Sequence, residues 1–83
     1  MDDSRLFVRL LSQALGLAAG ARVKTVHIRA GALSNISPAV LLRHFTRVSM
    51  GTTLEGVGLE FDVGHDPLAP DALRVSVTHV ELT

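Results

Sequence analysis

Cysteine is absent from this sequence of 83 residues, so a disulfide framework, a thiolate zinc site and a cysteine nucleophile are all excluded. No apolar run approaches the roughly 18 residues of a membrane span, and the acidic start Met1-Asp2-Asp3 is unlike the basic lead of a secretory signal. No membrane insertion and a cytoplasmic location are therefore expected. Neither sign of charge is in excess: eight Lys and Arg balance eight Asp and Glu. This removes the broad attraction to phosphate backbones that a basic excess supplies, so nucleic acid is not an expected partner. Long polar runs, repeats and linkers are also missing. The length suits one hydrophobic core, so residues 1–83 are read as a single domain.

What is present is regular apolar patterning. Hydrophobic residues make up 47% of the chain and charged residues 19%, the balance of a chain that folds. Leu6, Phe7, Leu10, Leu11, Ala14, Leu17 and Ala18 fall on one stripe of a helix. Asp2, Asp3 and Ser4 are placed to cap that helix, and Gly20 to end it near Ala19. From Arg22 to Ala30, Val26, Ile28 and Ala30 alternate with Thr25, His27 and Arg29, the period of a strand with one buried face. A loop from Gly31 to Ile36 leads to Ser37 as a cap and Pro38 as the first residue of a second helix. Leu41, Leu42, Phe45 and Val48 form its stripe and Gly51 closes it.

Val57, Leu59, Phe61 and Val63 then alternate with Gly58, Glu60 and Asp62, giving a second strand. After a turn with Gly64, Pro67 and Pro70 comes a third, in which Leu73, Val75 and Val77 have one parity and Val80 and Leu82 the other. A β-bulge near Thr78 or His79 reconciles the halves. The expectation is an α+β fold in the order helix-strand-helix-strand-strand, two helices packed on a three-stranded mixed sheet. The last two strands should form a hairpin, with a crossover from the first strand to the second. The second sheet face carries His27, Arg29, Glu60, Asp62 and Arg74, so it is solvated or covered by a partner.

No catalytic arrangement emerges. Ser34, Ser37 and Ser49 have no base and orienting acid beside them, and Gly31, Gly51, Gly56, Gly58 and Gly64 do not make a phosphate-binding fingerprint. The chain is not expected to be an enzyme. His27, His44, His65 and His79 form no ligand pair by spacing, so each reads as an isolated histidine, with His44 on a solvated helix face and His65 the most available to an adventitious metal.

Two stretches carry a resemblance. Ile28-Arg-Ala-Gly-Ala-Leu-Ser-Asn-Ile-Ser-Pro38 resembles the loop and proline-started helix after the first strand of the HypA/HybF nickel metallochaperones of hydrogenase maturation. At matching spacing, Phe45, Val48 and Gly51-Thr-Thr-Leu-Glu-Gly-Val-Gly-Leu-Glu-Phe61 are similar to that family's helix end, turn and following strand, and Leu73-Arg-Val-Ser-Val-Thr-His-Val-Glu-Leu82 to its final strand. The resemblance covers nearly the whole chain and implies the nickel-binding domain of that fold.

Two departures qualify what it implies. The family inserts a zinc domain with two Cys-x-x-Cys pairs between its last strands. Here Gly64-His-Asp-Pro-Leu-Ala-Pro-Asp71 stands in that place with one imidazole, His65, so no structural zinc is expected. The family also holds nickel through an N-terminal Met-His-Glu. Met1, Asp2 and Asp3 occupy those positions and lack the imidazole that nickel favours, which weakens any site there. The resemblance thus implies an accessory protein that docks a hydrogenase subunit or another maturation factor through the Gly31–Ser37 loop, the second helix and the sheet edge. The alternatives are a working nickel carrier with an altered site at Met1, Asp2 and Asp3, or a metal-free scaffold or small subunit. An exposed sheet edge on an apolar-rich chain also raises the prospect of a homo-oligomer.

Overall fold

The computed structural model describes residues 4–83, with the order α1 (Ser4–Ala18), β1 (Val23–Ala30), α2 (Pro38–Ser49), β2 (Gly58–Val63) and β3 (Val75–Leu82). This is the expected α+β arrangement, two helices and a three-stranded mixed sheet. The expected caps Asp2 and Asp3 lie outside the described residues. Helix α1 ends because Ala19 and Gly20 both enter the left-handed region, at φ 50° and 85°. At α2 the Ser37 hydroxyl accepts the Val40 N–H at 3.2 Å while Pro38 supplies a preset φ and needs no donor.

The helices cover one sheet face. Phe7, Leu10, Ala14 and Ala18 of α1 meet Leu41 and Phe45 of α2 over Val26, Ile28 and Ala30 of β1, all buried, with Leu54 and Val75 completing the core. Each fully buried Leu, Ile or Phe contributes on the order of 1.5–3 kcal/mol through apolar area removed from water. Four leucines expected in this core are outside it: Leu17, Leu42 and Leu82 are half-exposed, and Leu73 is 76% exposed. Leu17 and Leu42 fall at the margins of stripes that a small sheet is too narrow to cover. Leu73 precedes β3, in a turn where Arg74 N–H donates to the Asp71 carbonyl.

The strand order is β2-β1-β3, with β1 parallel to β2 and antiparallel to β3. The expected hairpin between the last two strands is therefore corrected: β2 and β3 never pair, and they flank β1 on opposite sides. Residues 64–74 link them by crossing the end of β1. Gly64 N–H donates to the Ala30 carbonyl at 2.8 Å, Gly31 N–H to the Arg74 carbonyl at 2.8 Å, and Leu33 N–H to the Ala72 carbonyl at 2.7 Å. Gly31 permits the crossing, since a Cβ there would stand 2.2 Å from the Asp71 carbonyl oxygen.

The parity break in β3 is a bulge, as expected. His27 pairs with His79 and Ile28 with Val77, which leaves Thr78 as the extra residue. A second bulge lies at Lys24 of β1, between the pairs Val23–Leu82 and Thr25–Glu81. It turns Val23 into the core and Lys24 out.

Candidate docking site

The Gly31–Ser37 loop is tied at one end by the crossing and at the other by the α2 cap. Asn35 takes the left-handed region at φ 56°, a conformation its short amide tolerates, and this turns Ile36 back onto the core. Ser34, Asn35, Ile36 and Ser37 line a groove of about 380 Å³ with Leu6 of α1 and Val40 of α2. On its other side the loop borders a second hollow, lined by Gly31, Ala32, Ser34, Ile36 and Val63 of β2. The start of α1, the loop and the start of α2 are thus one surface, and Leu33 and Leu42 stand exposed on the loop and on α2.

The expected metal position, Met1, Asp2 and Asp3, lies outside the described residues. His65 is exposed in the connection. Neighbouring acids there are already engaged: Asp66 Oδ1 accepts the Leu68 N–H at 2.9 Å, and Asp71 pairs with Arg29. One imidazole with committed carboxylates does not fit a closed zinc site. Among the described residues no three His, Asp or Glu side chains are grouped to hold a metal ion.

The histidines are not all isolated, and that expectation is corrected. His44 stacks on Phe7, ring centroids 4.7 Å apart, so it bridges the helices and is half-buried. On the sheet face away from the helices, His27 and His79 stack at 4.0 Å with 14° between their planes. This follows from strand order, because β1 in the centre sets His27 between Glu60 of β2 and His79 of β3. His27 Nδ1 is 3.6 Å from Glu60, and Nε2 is 3.0 Å from Glu81 but outside hydrogen-bonding alignment. Thr78 Oγ1 donates to the His27 carbonyl at 3.3 Å and lies 3.0 Å from His79 Nδ1. Near-parallel rings direct their in-plane lone pairs side by side, so they do not converge on one ion.

Beside the stack, Arg29 bridges Asp62 at 2.5 Å and Asp71 at 3.2 Å, fastening the crossing connection to the sheet. Asp71 and then Asp62 raise the guanidinium pKa above its already high value. Arg74, expected on this face, instead precedes β3 and lines a hollow with Arg9 and Gln13 of α1.

Comparison with family models and with curated proteins finds no match. Among the described residues, no helix is long and apolar enough to cross a membrane.

Proposed function

We propose that this protein is a HypA-like accessory protein of nickel–iron hydrogenase maturation that works mainly by docking in the cytoplasm, with conventional nickel binding impaired. The observation that carries the reading is the groove in which Leu6, at the start of α1, meets Ser34–Ser37 and Val40. It draws the N-terminal helix and the loop of the resembling segment into one surface. The element order and the mixed sheet agree with the domain that the resemblance implies. In this reading the docked partner is a hydrogenase subunit or another maturation factor, and the exposed Leu33 and Leu42 supply its apolar contacts.

The test is co-purification of the tagged chain with hydrogenase components, alongside calorimetric nickel titration of protein with an authentic N-terminus. The proposal expects a hydrogenase subunit or maturation factor to be retained and no tight stoichiometric nickel binding. Stoichiometric micromolar binding that is lost in Asp2→Ala would replace it with an altered nickel carrier. Retention of no hydrogenase component would remove the pathway.

A further inference from the structure

The two edges of the sheet are treated differently. Because Gly31 N–H points to the β3 side and pairs with Arg74, alternation along β1 sets Arg29 and its partner Ser76 facing each other, and the backbone groups of Val75 and Val77 face outward. Helix α1 caps both of these: Arg9 donates to the Val75 carbonyl at 3.1 Å, and the Val77 N–H donates to Gln13 Oε1 at 3.0 Å. The first half of that edge, Val75 to Val77, is covered in the way sheets commonly protect themselves.

The β2 edge has no such cover. Gly64 N–H bonds inward to Ala30, so alternation turns Asp62 and Glu60 inward as well and leaves the N–H and C=O of Leu59, Phe61 and Val63 facing out. Among the described residues β2 pairs with β1 alone, and no side chain bonds these outward groups. The side chains of Leu59 and Phe61 lie on the helix side and are only partly buried against the core, and Val63 is 39% exposed. On the opposite face Glu60 and Asp62 project, their side chains 69% and 73% exposed.

We infer that the β2 edge binds an extended peptide segment of a partner protein by strand addition, the segment alternating apolar residues with basic ones. Main-chain bonds to Leu59, Phe61 and Val63 supply the register. Apolar residues of the segment continue the half-covered row of Leu59, Phe61 and Val63, and its basic residues stand beside Glu60, since Asp62 is already held by Arg29. A second copy does not meet this chemistry. Antiparallel self-pairing of β2 sets Glu60 against Glu60 or Asp62, and the only charged residue of β3 is Glu81. Val63 also lines the hollow under the Gly31–Ser37 loop, so the added strand runs on into the docking surface described above. The inference rests on the docking reading only for the identity of the partner.

The test is titration of the isotope-labelled full chain with two short peptides, one alternating valine with lysine and one alternating valine with glutamate, read by amide shifts and hydrogen exchange. Expected are shifts and slowed exchange at Leu59, Phe61 and Val63 with the lysine peptide, about tenfold weaker binding of the glutamate peptide, and loss of the preference at high salt. Leu59→Pro removes an outward N–H without touching the β1 ladder and should abolish binding. Glu60→Lys, a change at an exposed side chain, should weaken the lysine peptide about threefold or more and strengthen the glutamate peptide, and keeps the test decisive if the proline variant fails to fold. Binding of neither peptide, equal binding of both, shifts confined to other surfaces, or self-association through these amides would each overturn the inference. Hydrogenase capture that succeeds while the titration fails would leave docking standing and remove strand addition. The converse would keep strand addition and remove the hydrogenase pathway.

Discussion

Replacing Gly31 with alanine tests the crossing that places β2 and β3 on opposite sides of β1. The added Cβ would stand 2.2 Å from the Asp71 carbonyl oxygen and 2.3 Å from that of Ala72, both backbone atoms in the connection. Ordinary contact begins near 3.4 Å, so the connection must retreat by about 1 Å. The bonds Gly31 N–H to Arg74 and Leu33 N–H to Ala72 hold it in place at 2.8 and 2.7 Å, and a retreat of that size breaks or lengthens both. At about 0.5–1.5 kcal/mol per bond plus the desolvation of buried backbone left unpaired, Gly31→Ala should cost about 2–4 kcal/mol. For a domain of this size each kcal/mol corresponds to about 4–8 °C, so the expected fall in Tm is about 8–32 °C. Gly16→Ala provides the control. That glycine lies in α1 with nothing within 4 Å of an added Cβ, and alanine there should stabilise by about 0.5–1 kcal/mol through helix propensity. Thermal and urea unfolding followed by circular dichroism reads both variants. A Gly31→Ala protein melting within about 2 °C of wild type would refute the crossing geometry.

Ser37→Ala removes the α2 cap and should cost about 1 kcal/mol in urea unfolding, with Ser37→Gly costing only a few tenths. Phe45→Ala, at a fully buried site, should cost about 3–5 kcal/mol, whereas Leu73→Ser on the exposed turn should stay within about 0.5 kcal/mol, reversing the near-equal importance that the sequence pattern assigns them. A guanidinium whose pKa is raised on folding adds stability below its unfolded pKa and loses it only as pH rises through the folded value, here above the ordinary arginine range. The stability difference between wild type and Arg29→Gln should accordingly be flat from about pH 7 to pH 10, and a slope across that window in paired urea melts would contradict the assignment.

Local signals carried most of the fold. Ser37-Pro38 marked a helix start because cap and fixed φ act within one turn, and the parity break between Val77 and Val80 marked a bulge because a strand's side chains alternate without exception otherwise. Strand pairing was not legible, since alternation in β2 and β3 is the same whether they pair with each other or flank β1. The length of the 64–74 connection and the lack of a side chain at Gly31, the one residue it must pass, were the available hints. Everything on the outer face followed from that unread order. His27 and His79 are far apart in sequence and become a stacked pair only because β1 lies beside β3, and Arg29 meets Asp71 only because the connection crosses beside it. The docking groove was half legible: its loop was identified, and its contact with Leu6 required the packing of α1 beside α2.

Docking to the hydrogenase system through the loop and α2 is tested by binding of the purified chain to purified hydrogenase large subunit and maturation factors, compared with Leu33→Asp and Leu42→Asp. Both leucines are half-exposed, so the variants should fold as wild type does. Saturable binding of one of these proteins to the wild-type chain is expected, with a loss of about tenfold or more in the variants. Absence of binding to all of them, or equal binding by both variants, would contradict it.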